Sequence, residues 1–300
     1  MKTIDQALLP IFNPTAAAED GERCRAPGRA GAVPPAIAQP GAAPLRFDLY
    51  ASIHKAIRWG SAELLGRLGA IDTDSDAEVH ATAQALVAFL EQLRAHLRHE
   101  NRHLHPAMEA RRPGSAAQGG EEHEAHGVSI DALEAEMRAV AALPAARRRE
   151  PAQRLYRHFA LFTAENFMHM QHEEAAHNAV LWAEYSDAEL LSIEHAIVAS
   201  QTPEQLAGWM HWFAAALPTA ELAPRLAGAR AGMPAEAFEG LMAQVAARQA
   251  PARRAQLHRA VEAMTGLPVA RQRVAHARAA RAARTALAPA RPASASPSSS

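Results

Sequence analysis

Residues 96–106 read HLRHENRHLHP and residues 169–179 read HMQHEEAAHNA. Both open on the pentapeptide H-x-x-H-E, and each lies in a stretch whose apolar residues recur at helical spacing. On a helix, residues four apart share a face. His96 therefore stands over Glu100, and His169 over Glu173. Turning an imidazole and a carboxylate into a helical core carries a heavy desolvation cost, and an unpaired buried carboxylate is expelled or protonated. A divalent cation that takes both groups as ligands removes that cost. Imidazole and carboxylate without thiolate suit Fe, Mn, Zn or Cu.

One such pair is an ordinary feature of a surface helix. Two copies constrain the chain far more, because each has a further histidine at a similar distance upstream. His54 precedes His96 by 42 residues and His123 precedes His169 by 46. The sequence divides into two like halves, each with one histidine on a first helix and His-x-x-x-Glu on a second. Together they supply four imidazoles and two carboxylates, enough for two metals bridged by the carboxylates.

The surrounding pattern predicts an all-α chain. The first helix starts near Asp48, a plausible N-cap, and runs to about Gly69 through Tyr50, Ile53, Ile57, Leu64, Leu65 and Leu68. After the polar turn DTDSD, a second runs from about 76 to 105 with Leu86, Val87, Leu90, Leu93 and Leu97 on one stripe, closed by Pro106 and RRPGSAAQGG. A third spans about 121–142. A fourth, about 150–184, has Pro151 near its start. Short connections between four long helices imply an up-down-up-down four-helix bundle over 47–184. Residues 185–265 then read as a helical extension, a string of short helices started by SDAE at 186, TPEQ at 202, TAEL at 219 and MPAEAF at 233. Residues 1–46, rich in Ala, Pro and Gly, are expected to be a disordered leader, and 266–300 a basic, largely disordered tail.

Composition narrows the function. Of 16 histidines, ten lie between His96 and His177, whereas there is a single cysteine, Cys24, so disulfide frameworks and thiolate clusters are excluded. Net charge is −1, which gives no general affinity for nucleic acid or membrane. The arginines of 271–284 could touch nucleic acid, but a solvated tail is the expectation. No run approaches the roughly 18 apolar residues that span a bilayer, and MKTIDQALLPIFNP lacks a signal-peptide core. A cytoplasmic protein is expected.

His54, His96-x-x-x-Glu100, His123 and His169-x-x-x-Glu173 resemble the hemerythrin-like HHE cation-binding family, and HENRHLHP is similar to its ending of the second helix. The resemblance covers about 47–184, and the extension resembles one carried by some bacterial members. It implies a hemerythrin-like four-helix bundle with a non-haem di-iron centre, two Fe ions, binding O2 or a related small ligand such as NO, and a role in sensing, storage or iron and redox handling. Mn or Zn are alternatives to iron. One position departs from the family pattern: oxygen carriers of the family place His-x-x-x-His on the third helix, whereas here Gly127 stands four after His123.

The metal ligands are thus expected to be His54, His96, Glu100, His123, His169 and Glu173. His126 is open between ligand and neighbour of a ligand. His99 and His172, three residues after the motif histidines, are expected beside the site or at its rim, and Glu165 or Asn166 could orient a ligand imidazole. His103, His105 and His177 are expected at the rim or in solvent, and His158, His195, His211, His258 and His276 are expected to be incidental. A metal- and small-ligand-binding protein is expected rather than an enzyme. The alternatives are a di-iron oxidoreductase acting on peroxide or O2, and a structural or iron-storage protein. No protein partner for the extension can be named.

Overall fold

The computed structural model describes residues 46–265. The expected leader and tail, with Cys24 and His276, lie outside the described residues apart from Arg46. Among the described residues every regular element is helical. The bundle is built from α1 (Ala51–Gly69), α2 (Asp76–His99) continuing through a π turn (Glu100–Leu104) into α3 (His105–Arg111), α4 (Ala117–Ala142), and α5 (Arg149–His172) continuing through a second π turn (Glu173–His177) into α6 (Asn178–Glu184). α1 packs on α2 and α5, and α4 packs on the same two, which closes the four-helix ring. No described helix is long and apolar enough to cross a membrane.

Helix starts follow local chemistry. The Asp48 carboxylate accepts from the N–H groups of Tyr50 and Ala51 at 2.9 and 3.1 Å, so the expected cap is in place just ahead of α1. The Ser75 hydroxyl accepts from Glu78 N–H at the start of α2. Buried Arg148, between α4 and α5, donates to the Leu143 carbonyl and to Asp76, tying the start of α5 to the start of α2.

The second helix does not end at Pro106. It runs on to Arg111. Proline breaks an α-helix because it lacks an N–H and crowds the carbonyl four residues back. The π turn just before it shifts the ladder to i→i+5, so Pro106 falls at the opening of α3, where a missing donor is harmless.

Two apolar clusters bracket the histidines along the bundle. The larger holds Ile57, Leu64, Phe89, Leu93, Ile130, Met137, Phe159 and Phe162, and it continues into the extension through Trp209, Phe213, Leu222 and Leu257. The smaller, beyond the histidines, holds Phe47, Tyr50, Leu104, Met108, Val180, Leu181 and Leu190. The π turns make it: they carry α3 and α6 past the site, where α7 (Asp187–Ala199) packs near them.

The extension continues as α8 (Pro203–Ala216), α9 (Thr219–Gly232), α10 (Ala235–Ala247) and α11 (Pro251–Thr265). Ser186 with Glu189, and Thr202 with Gln205, form complete capping boxes. α9 and α10 start at the expected places but follow prolines, Pro218 and Pro234, without a side-chain cap. α8 lies against α1 and α2, and α11 against α9.

Gly60 lies on α1 against Phe89 of α2. A Cβ there would stand 2.5 Å from Phe89 Cε2. Phe89 is fully buried and meets Trp212 edge-on at 5.4 Å between ring centroids, so it has little room to yield. Gly60→Ala is expected to lower stability by about 1–3 kcal/mol, as overpacking does, despite the helical gain from alanine. Denaturant unfolding of the two proteins would measure it, and an unchanged midpoint would show that the helices separate freely.

Candidate metal centre

The structure brings all six expected ligands together. His54 Nε2 lies 3.3 Å from Glu173 Oε2, and His96 Nε2 lies 3.4 Å from Glu100 Oε1. Across the bundle, His123 Nε2 is 3.3 Å from Glu100 Oε2 and 3.5 Å from Glu173 Oε1, and His169 Nε2 is 3.4 Å from the same Glu173 oxygen. His123 and His169 face each other through their Nε2 atoms at 3.1 Å. The ligating atoms fall into one group of His54, His96, Glu100 and Glu173 and another of Glu100, His123, His169 and Glu173, each within 4.8 Å. Both carboxylates belong to both groups.

All six side chains are buried. Nε2 of His54 and His96, Oε2 of Glu100 and both oxygens of Glu173 have no hydrogen-bond partner. Orphaned buried acceptors of this kind are costly, and a cation at each group would satisfy them together. The residues therefore fit a pair of metal ions.

The opposite nitrogens are held. His54 Nδ1 meets Glu174 at 2.9 Å, His123 Nδ1 meets the Asn101 side-chain oxygen at 2.7 Å, and His169 Nδ1 meets Glu122 at 2.6 Å. Each contact favours a proton on Nδ1 and leaves the Nε2 lone pair for the interior, the arrangement that metal-bound histidine requires. Glu174 is itself gripped by both Arg58 nitrogens at 2.6 and 2.9 Å, and Gln118 donates to Glu122 at 2.7 Å. Glu165 takes no such part. It is exposed, and the carboxylates that orient imidazoles are Glu122 and Glu174. Asn166 is buried.

Charge in the cluster is strongly organised. Burial opposes a proton on His54 and His123, but the Glu173 and Glu174 carboxylates beside His54 lift it to about 9, and the Glu100 and Glu173 carboxylates beside His123 lift it to about 9. Burial and the neighbouring positive charge on His54 hold His96 well below the usual histidine range. Burial and the charge of Glu173 push Glu100 up to about 7. Glu173 remains ionised: burial works against it, yet the His123 and His54 imidazoles against it keep it well below the ordinary carboxylate range. The two carboxylates thus draw positive charge to His54 and His123, while burial holds His96 and His169 below the usual histidine range.

Two of the histidines expected at the rim lie inside. His105 and His177 are buried, not solvated. His105 stacks on His123 at 4.8 Å and meets His177 edge-on at 5.6 Å. For His105 a π turn is the cause. Its wider winding returns a residue five places on to nearly the same face, which brings His105 back over Glu100, while His177, four places after Glu173, shares its face by ordinary helical spacing. His126 is buried with its ring 4.8 Å from His169 and 5.6 Å from Phe162. His99 is half-buried with Nδ1 against the Ser200 hydroxyl at 3.2 Å, and His172 is half-buried with its ring 5.4 Å from His177. His103 stacks on His99, and His158 pairs with Glu136 at 3.0 Å, away from the cluster.

Residues 47–176 match the family model described as the Hemerythrin HHE cation binding domain. The chain carries a hemerythrin HHE domain. No curated protein and no solved structure matches the chain. The match begins at Phe47 and ends at Ala176, so the HHE domain takes in every expected ligand from His54 to Glu173, whereas α7–α11 lie beyond it.

Proposed function

We propose that the HHE domain holds two iron ions and binds a diatomic ligand such as O2 or NO, as a sensor, store or handler of iron and redox state. His54 and His96 would be terminal ligands of one ion, His123 and His169 of the other, and Glu100 and Glu173 would bridge them. The observation that carries this reading is the sharing of both carboxylates by two groups of orphaned ligand atoms. Four imidazoles, neutral once they ligate a metal, with two carboxylates and no thiolate suit iron, with Mn or Zn accepted by the same donor types.

A cavity supports the small-ligand part. About 70 Å³ lies between the bundle and the extension, bordered by His96 and Glu100 on one side and by Val198, Trp209 and Phe213 on the other. That is room for a diatomic molecule and well short of the roughly 150 Å³ that accommodates benzene. The extension therefore forms one wall of the space next to the His96 edge of the centre.

Anaerobic purification, metal analysis and visible spectra before and after NO or air test the reading together. About two irons per chain and a new absorption band on exposure are expected. One zinc per chain, or no stoichiometric metal, would sink it.

A further inference from the structure

Three buried imidazoles stand outside the two ligand groups: His105, His126 and His177. His126 is packed against His169 and Phe162. His105 and His177 form something else. With Glu173 they bring three ligating atoms within 4.8 Å of one another. Nε2 of both histidines is buried without a hydrogen-bond partner. Both approach the same spot on α4: a Cβ on Gly119 would stand 3.1 Å from His177 Nε2 and 3.3 Å from His105 Nε2. The absence of that Cβ leaves the space the two rings occupy. His177 is steadied from the other side, its Nδ1 lying 3.1 Å from the Tyr50 hydroxyl.

These rings form a line from the surface to the centre. Half-buried His172 is 5.4 Å from His177, His177 is 5.6 Å from His105, and His105 is 4.8 Å from His123. We propose that His105, His177 and Glu173 form a loading site, which holds an incoming divalent transition-metal ion before it passes to the paired groups. Electrostatics decide between loading and residence. Glu100 and Glu173 are the two carboxylates of the pair, so two divalent ions already exceed their charge. A third ion a few ångströms away is repelled once the pair is filled, yet attracted by the same carboxylates while it is empty. The inference rests on the proposed dinuclear centre and adds a route to it.

Cobalt(II) uptake tests it on the full chain freed of metal by a chelator. Stopped-flow absorption gives the rate, and equilibrium titration gives ions per chain. The double variant His105→Gln/His177→Gln is expected to take up cobalt at least tenfold more slowly and still to bind the same two ions. His172→Ala, at a half-buried ring outside the ligand groups, is expected to slow uptake severalfold. Unchanged rates in both variants overturn the proposal. Loss of an ion at equilibrium in the double variant also overturns it, by making these histidines ligands of the pair. So does a third cobalt retained by the unaltered chain at saturation, which would make the site resident. An unaltered chain that binds fewer than two ions fails the dinuclear reading instead, and the titration shows this before any rate is compared.

Discussion

Glu173→Gln is expected to empty both halves of the centre. Glu173 Oε2 faces His54, while Oε1 faces His123 and His169, so its carboxylate belongs to both ligand groups. Glutamine keeps the size of this fully buried side chain but removes the charge and offers one oxygen in place of two. Glu100 alone would then face four imidazoles. Metal affinity is expected to fall by at least roughly a hundredfold at both positions, beyond what loss of a residue that merely orients a ligand brings. His96→Ala removes a ligand from one group only, and should leave about one ion per chain. His158→Ala, whose ring pairs with Glu136, should leave both. Metal analysis after dialysis against a weak chelator ranks the three. Two ions retained by Glu173→Gln would mean that the carboxylate is not shared.

What could be read from the sequence was whatever repeats at helical spacing. H-x-x-H-E is local: His96 and Glu100, or His169 and Glu173, share a face on any helix, so these candidate ligands are legible before the fold is known. The four bundle helices are legible for the same reason. His177, four places after Glu173, was legible by the same spacing that pairs His169 with Glu173. His105 was hidden because a regular 3.6-residue period carries it, five places after Glu100, off the face, and nothing in HENRHLHP announces a π turn. Pro106 pointed the wrong way for the same cause. The orienting groups were hidden by distance. Asn101, Glu122 and Glu174 each sit beside a ligand in sequence, next to Glu100, His123 and Glu173. Yet each bonds the imidazole of a different helix, on His123, His169 and His54. A polar residue next to every second-helix carboxylate was the one available signal. The extension's helix starts were visible in their caps, but its wall of the cavity, built from Val198, Trp209 and Phe213, depends on long-range packing that no local pattern records.

Glu194→Gln is expected to make the protein more stable at alkaline pH and to leave it unchanged near pH 4.5. Glu194 lies on α7, is nine-tenths buried, borders the same cavity as His96 and Glu100, and has an unpartnered Oε2. Arg225 attracts it but directs its hydrogen bonds to the Glu221 carbonyl and the Ser52 hydroxyl. Burial therefore prevails and pushes the Glu194 carboxyl up to about 8. In the unfolded chain the same group ionises near its ordinary value of 4.5. Between those two values the folded protein keeps a proton that the unfolded chain has lost, so stability falls as pH rises and levels off above about 8. The whole effect is about 5 kcal/mol at most, taking about 1.4 kcal/mol for each pKa unit. Glutamine cannot ionise and should lose this decline. Melting temperatures of the two proteins should coincide near pH 4.5 and part by several degrees at pH 8.5. Taking the difference between them cancels the other titrating groups, the histidines of the centre included. A gap that stays constant across the range would show that Glu194 is ionised in the folded state. In that case the cavity would present a further carboxylate charge beside Asp48 and Glu100, which also border it. A protonated Glu194 keeps one charge off the cavity wall, which is what the proposed binding of an uncharged diatomic ligand would favour.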